Sequence, residues 1–553
     1  MVGQEVSIGE SSTAPTNLPG APRQPRPTAA QVAGWTVLLF AVVWLSLRGW
    51  GSFQVGAYQD DAQYMLAARS LAFGDQYGLI NWPGAPHEPK YPFAFPLLLA
   101  PLVWLFPHDP QAATTVALAA TLINISLLFW GWPLLSPSTS RWWGLGVAWL
   151  YGVSPMTVGQ TRVVMSEPVF TTFALAALLL VEACVRAPRR GRLLSIPLGV
   201  ALTFALFTRS IGIAVWAAVL LRLAMAVRRV GYAPLAGILC GSLGSLLLVL
   251  GLTSIEPRHL LPQKYITEAQ TAGPSPTTAT ESPVERVLRV GGAYALTELR
   301  EVVVSVGGGQ REQALADRIG MHLLPEVLGA VVTALIAVGA WRALRMRALA
   351  ASALLFELVY LGTLLLWPWV ILRYLYPLQP LLAFELLLGL AAVDDAARGM
   401  WAAPAARRSR GRAVVVVWAG LVALSVWKSA MVADARSFTR DLRVGATWLR
   451  DHSATDAIVM ARYAAPVYLY AERRTVPLMA GSASELEAAL DEQRVDYLLI
   501  GPKLAWNADG SLPDDELQVV LLPGVAEMAA RGRLTEVYES PPHDKVHIYR
   551  VER

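Results

Sequence analysis

From position 33 onward the chain repeats one pattern: an apolar run of about helix-spanning length with almost no charge, then a short polar or basic break. The runs cover 33–49, 113–131, 142–158, 166–185, 193–208, 211–227, 231–252, 325–344, 348–368, 371–392 and 412–431. None alternates with a period of two. A helix needs about 20 apolar residues to cross the hydrocarbon of a bilayer, so the pattern predicts eleven transmembrane helices and excludes an outer-membrane barrel.

One more apolar run, 93–106, decides the sidedness. It is short for a crossing and carries Pro96 and Pro101, which suits a re-entrant or surface-lying helix. If it does not cross and the N-terminus is inside, Arg141, the cluster 186–192, Arg228 and Arg229, the cluster 342–347 and the cluster 398–412 all fall in the cytoplasm. A crossing would send nearly all of them outside, against the positive-inside rule. Arg48 is the one exception. The reading puts 50–112, 159–166, 253–324 and everything after 434 on the outer face.

Polar composition separates the two ends of the chain from the middle. Residues 1–31 are rich in Pro, Ser, Thr and Ala without apolar periodicity and read as a disordered cytoplasmic tail. Residues 32–433 form the membrane domain. In 434–553, acidic and basic residues become frequent, short strand-like runs appear at 457–461, 495–501 and 546–551, and helical stretches lie at 441–450 and 482–493. The expected fold is therefore an all-α polytopic membrane domain with a small soluble α/β domain at the C-terminus, outside the membrane.

Composition agrees: 54% of the 553 residues are hydrophobic and 16% charged, against about 25% charged in ordinary soluble proteins. The net charge of +5 sits in loop clusters, so it marks cytoplasmic loops and not a nucleic-acid surface. Cys184 and Cys240 both lie in apolar runs and form no disulfide framework. There is no GxxxxGK[ST] motif, which argues against an ATP-driven pump.

Charge at a bilayer boundary is costly and marks function. Five places put it on the predicted outer face: the pair Asp60 and Asp61, Lys90, Arg162 with Glu167, Arg209 and Arg373. Ordinary roles compete at each. Asp60 suits a helix cap, Glu167 a helix first turn, and Lys90 a side chain snorkelling to headgroups. Arg209 and Arg373 are harder to explain away, because outer turns are poor in Arg. Together the five supply a carboxylate base and a cationic cradle for a phosphate leaving group. His87 with Glu88 and His108 with Asp109 flank the 93–106 run, but without a fixed metal-binding spacing they read as loop residues. Asn124 matches a glycosylation sequon inside a span, and Gly307-Gly308-Gly309 reads as a turn.

The ordered set Asp60-Asp61-Ala62-Gln63-Tyr64, Ala67-Ala68-Arg69-Ser70-Leu71, Lys90-Tyr91-Pro92, Pro96-Leu97-Leu98-Leu99-Ala100-Pro101, Ser166-Glu167-Pro168, Thr208-Arg209-Ser210 and Arg373-Tyr374-Leu375-Tyr376-Pro377 resembles the GT-C superfamily of lipid-sugar-dependent membrane glycosyltransferases. Within it, the closest likeness is to the protein O-mannosyltransferase and aminoarabinose transferase group. Asp61 stands where that group commonly has Glu, and one proline follows Lys90-Tyr91 where two are usual. The resemblance implies inverting transfer of a sugar from a polyprenyl-phosphate donor to an acceptor hydroxyl on a glycan, lipid or protein of the cell envelope. Asp60, Asp61 and Glu167 would be the catalytic residues, with Asp60 the base, and Lys90, Arg209 and Arg373 would bind the donor phosphate. No cofactor is firmly implied; a divalent metal is possible but not required. The implied location is the plasma or inner membrane, with the site on the extracytoplasmic side. A transporter or flippase for a lipid-linked sugar, or an oligosaccharide ligase or polymerase, is the alternative.

Overall fold

Thr28 accepts a hydrogen bond from the Gln31 amide while the Gln31 side chain accepts one from the Thr28 amide. This capping box opens the first helix, α1 (Ala29–Arg48). The computed structural model describes residues 26–51, 55–56, 59–74, 77–86, 91–253, 255, 282–304, 324–367, 370–401, 412–431, 439–478, 482–501, 522–540 and 546–553. The predicted tail up to residue 25, the His87-Glu88 pair, Lys90, much of the expected outer segment 253–324 and the Gly307-Gly308-Gly309 run within it lie outside the described residues.

After α1 come α2 (Asp60–Phe73), α3 (Ala94–Leu105), α4 (Thr114–Leu135), α5 (Arg141–Gly152), α6 (Pro155–Gln160), α7 (Glu167–Arg186), α8 (Pro188–Thr208), α9 (Ile213–Met225) and α10 (Ala233–Leu252). Then follow α11 (Pro283–Ala293), α12 (Leu324–Met346), α13 (Ala351–Leu366), α14 (Gln379–Trp401) and α15 (Arg412–Met431). Among the described residues, eight helices (α1, α4, α7, α8, α10, α12, α14, α15) are long and apolar enough to cross a membrane, where eleven spans were expected. The other three expected spans are helical but shorter. The 142–158 run is broken where Pro155, which lacks an amide donor, starts α6 afresh; α9 has 13 residues behind a 3₁₀ turn, and α13 has 16. The protein is a multi-pass membrane protein. The 93–106 run forms α3, 12 residues long, or about 18 Å, well short of a bilayer core.

Small residues let the long helices approach closely. A Cβ on Gly199 would sit 2.2 Å from the Ile238 carbonyl oxygen, so α8 and α10 meet backbone to backbone, and Gly389 brings α14 against the Leu335 carbonyl of α12 in the same way. Side-chain ties sort the helix ends into two sets. At one end Arg222 pairs with Glu182, Arg186 donates to the carbonyls of Pro133 and Leu134, and Ser136 donates to the Ala348 carbonyl. At the other end lie Asp60, Glu167, Arg209 and Arg373. Within the expected outer segment 253–324, α11 continues through a π turn (Tyr294–Glu298) to Val303. Its Val290, Tyr294, Val302 and Val303 are buried in the main core, which makes it part of the bundle.

The C-terminal part is a five-stranded sheet of order β2-β1-β3-β5-β4, formed by β1 (Ile458–Ala461), β2 (Arg474–Pro477), β3 (Tyr497–Ile500), β4 (Leu534–Glu539) and β5 (His547–Val551). β1 runs parallel to β2 and β3, and β5 is antiparallel to β3 and β4. Strand residues alternate between faces. Val459 and Ala461 pack under α16 (Thr439–His452) and α17 (Ala464–Ala471), whereas Met460 and Leu498 pack under α18 (Ala483–Glu492) and α19 (Leu522–Ala530).

This domain rests on α2 and its neighbouring loops. The Tyr470 hydroxyl donates to the Val55 carbonyl at 2.6 Å, the Thr475 amide donates to the Asn81 carbonyl at 2.6 Å, and Ala465 and Leu469 pack on Ala62 and Leu66. Arg69 and Glu472 close the edge at 3.5 Å.

Candidate functional site

Asp60 is the first residue of α2, but it caps nothing. The cap position belongs to Gln59, which has φ 58° and makes no side-chain cap bond. This sparsely populated backbone conformation costs on the order of 1–3 kcal/mol and is held in place by its surroundings. The Asp60 carboxylate turns to side chains far along the chain: the Tyr91 hydroxyl donates to Oδ1 at 2.5 Å and Arg373 Nη2 donates to Oδ2 at 2.5 Å. Asp61 turns the other way. Fully buried, it accepts the amides of Gly56 at 2.7 Å and Ala62 at 2.9 Å, so it fixes the loop before α2.

Glu167 opens α7, where the positive end of the helix dipole favours a carboxylate. Its side chain is 1% exposed, against 23% for Asp60. Arg209 Nη1 lies 2.6 Å from Glu167 Oε1, and Arg373 Nε 3.6 Å from the same oxygen. Arg209 also donates to Ser166 Oγ at 3.1 Å, and Tyr64 shares a 3.1 Å hydrogen bond with that hydroxyl. Burial pushes the Tyr64 hydroxyl well above the usual tyrosine range, so it stays protonated. Both guanidinium groups lie over the Tyr374 ring, at 5.4 and 5.9 Å, within cation–π range. The result is a chain Asp60–Arg373–Glu167–Arg209 with two negative and two positive charges.

Breaks in the helices place the two arginines. Arg209 is in extended conformation between α8 and a 3₁₀ turn, Ser210–Gly212. A Cβ at Gly212 would come within 2.6 Å of the Ala205 and Leu206 backbone, so only glycine lets the turn fold back this tightly. Arg373 sits on the 3₁₀ turn Leu372–Leu378 ahead of α14. A buried polar belt fixes that turn to the bundle: Tyr376 and Tyr151 share a 2.6 Å hydrogen bond, and Asn124 donates to the Tyr151 hydroxyl at 3.0 Å and to the Pro168 carbonyl at 2.9 Å. Pro168 is next to Glu167, so the belt sets the spacing between the two halves of the site.

Arg162 is not part of the cluster. It is fully buried, and its Nη2 donates to the Leu45 carbonyl at 2.7 Å and the Ser429 carbonyl at 3.1 Å. It therefore satisfies the ends of α1 and α15, and the expected Arg162–Glu167 partnership is replaced by Arg209–Glu167. Gly49 makes room for it, since a Cβ there would lie 2.2 Å from the guanidinium. His108 is exposed and 4.0 Å from Glu472. Among the described residues no three His, Cys, Asp or Glu side chains converge.

No protein-family model matches the sequence, and no curated protein matches it by sequence. Solved structures do match in shape. ArnT from Cupriavidus metallidurans in the apo state superposes with a TM-score of 0.56 at 13% identity, over 94% of this chain and 98% of ArnT. The same protein bound to undecaprenyl phosphate gives 0.54 at 13% identity, over 95% and 98%. The archaeal oligosaccharyltransferase AglB from Archaeoglobus fulgidus, in complex with an inhibitory peptide and a dolichol-phosphate, gives 0.52 at 12% identity, over 95% of this chain and 74% of AglB. The chain shares the fold of these solved structures.

Within this shared fold, Asp60, Glu167, Arg209 and Arg373, four residues spread over more than 300 positions of sequence, meet at one end of the bundle. Asp61 lies beside them but serves the loop. The sequence reading missed Tyr91 and Ser166 as contributors, although both stand inside motifs it had singled out. It also missed the belt of Asn124, Tyr151 and Tyr376, whose only trace in sequence is polar groups in apolar runs.

Proposed function

We propose that the chain is an inverting membrane glycosyltransferase that moves a hexose or pentose from a polyprenyl-phosphate donor to an acceptor hydroxyl on a cell-envelope molecule. The observation that carries this reading is the Asp60–Arg373–Glu167–Arg209 chain, in which a partly exposed carboxylate pairs with one guanidinium and is linked through Glu167 to a second. That two solved GT-C structures of like fold contain undecaprenyl phosphate and dolichol-phosphate supports a lipid-phosphate donor. The basic clusters at the opposite end from the site support an extracytoplasmic site in the plasma or inner membrane.

In the proposed step, Asp60 takes the proton of the acceptor hydroxyl as that oxygen bonds to the anomeric carbon from the face opposite the phosphate. The bond from carbon to phosphate oxygen breaks, and its electron pair leaves with the lipid phosphate. Arg373 and Arg209, with Lys90, stabilise the charge that collects there. Glu167, enclosed beneath both arginines, holds them in place; its enclosure favours that role over contact with the acceptor.

The test is to incubate the purified full chain in detergent with a panel of polyprenyl-phosphate sugars and candidate acceptors. We expect sugar transfer together with release of the lipid phosphate, and about 10²-fold or slower transfer in Asp60→Asn. Uptake of the lipid-linked sugar across vesicles without any bond cleavage would instead establish the transporter reading.

A further inference from the structure

Both oxygens of Asp60 already accept short hydrogen bonds, one from Tyr91 and one from Arg373. With a guanidinium on one oxygen and a hydroxyl on the other, the carboxylate has both oxygens engaged and little of either left open to an incoming acceptor hydroxyl. Arg373 meanwhile touches two carboxylates, with Nη2 on Asp60 and Nε 3.6 Å from Glu167. The geometry points to an interlock in which Arg373 restrains Asp60 until the donor's phosphate draws the guanidinium away, so that the base becomes competent only with the donor seated. The inference rests on the lipid-phosphate reading above and adds the order of events to it.

Charge bookkeeping supports the direction of the movement. A sugar phosphodiester carries one negative charge, and the lipid phosphate released from it carries two once fully ionised. Asp60 loses its negative charge as it takes the acceptor proton. The total in the site is unchanged, while one negative charge passes from Asp60 to the phosphate. Arg373 lies where it can follow that charge, from the carboxylate in the resting state to the leaving group in the transition state. An interaction that strengthens along this path lowers the barrier, whereas uniform binding does not. Glu167, buried and in reach of Nε, is the pivot about which the guanidinium turns. The exchange also keeps an open Asp60 carboxylate from facing acceptor or water when no donor is present.

If Arg373 spends most of its time on Asp60, donor affinity is lowered by the fraction of time it is available. The experiment measures binding of undecaprenyl phosphate to the full chain in detergent, with undecaprenol as the tail-only control. Asp60→Asn is expected to bind the phosphate about 10-fold more tightly than wild type, as for an arginine available about a tenth of the time. Arg373→Gln is expected to bind it more weakly. The double variant Asp60→Asn, Arg373→Gln should bind no better than Arg373→Gln alone, because the gain acts through Arg373. Simple removal of a negative charge would tighten binding in the double variant too, and that result overturns the interlock. Unchanged affinity in Asp60→Asn overturns it as well. If no form prefers undecaprenyl phosphate to undecaprenol, the lipid-phosphate reading itself fails, and the interlock with it. Should Arg373→Gln not fold, Arg373→Lys takes its place in both variants; its single ammonium donor cannot bridge two groups as the guanidinium does, and the same non-additivity is expected.

Discussion

Neighbouring acidic residues take opposite directions at the start of α2, and their substitutions should therefore fail in different ways. Asp61→Asn leaves one oxygen where two accept the amides of Gly56 and Ala62. A buried amide without its partner costs about 1–3 kcal/mol, which should appear as a lower melting temperature. Tyr91→Phe keeps the ring that packs 4.6 Å from Tyr64 but loses the hydroxyl that aims the Asp60 carboxylate; a base that is no longer aimed outweighs the freeing of one of its oxygens, and we expect transfer to slow by about 10-fold in a protein that still folds. An unaltered rate would remove Tyr91 from the machinery. Arg373→Lys retains charge but not the two-sided reach to Asp60 and Glu167, so donor binding should weaken; a side chain merely snorkelling to headgroups would work as well as Lys. Charged residues such as these were legible in the sequence because an apolar membrane chain makes each charge conspicuous. The partition of work between Asp60 and Asp61 was not, because it depends on the unusual backbone of Gln59 and on loops brought together only by folding.

At the scale of the elements, the groups of the proposed site sit where helices break: the start of α7, the turn after α8 and the 3₁₀ turn before α14. Interrupted helices inside a membrane domain need side-chain partners for the backbone groups they expose, and the Asn124–Tyr151–Tyr376 belt is that support at one remove. Tyr376→Phe deletes the hydroxyl that meets Tyr151 at 2.6 Å. It should cost about 1 kcal/mol of stability and also lower kcat by loosening the turn that carries Arg373; loss of stability with an unaltered kcat would make the belt purely architectural. The long apolar runs were readable as helices from composition alone. The break at Pro155 was visible as a residue but not as a boundary, because the apolar pattern continues through it. β2, β4, α17 and α19 were likewise missed, since strands of four to six residues and eight- or nine-residue helices carry little periodicity of their own.

At the scale of the whole molecule, the basic ends and the site lie at opposite ends of one bundle, and the proposed sidedness can be checked by labelling. A cysteine in place of exposed Ser484 on α18 should react with an impermeant reagent added outside intact cells, while one in place of Arg190 should react only after the membrane is opened. The reverse pattern would put the site on the cytoplasmic face. The soluble domain could be anticipated from its change in composition, but its seat on α2 could not, because Val55, Asn81, Tyr470 and Thr475 carry no mark of pairing in sequence. That seat has a consequence for how such proteins diversify. Cutting the gene between α15 and α16 and splicing on a foreign C-terminal domain would leave Ala62, Leu66 and Asn81 facing a stranger, and the helix that begins with Asp60 would lose its footing. A working chimaera has to inherit the 55–81 segment together with the domain that rests on it, so the portable unit is discontinuous in the chain and straddles the membrane core.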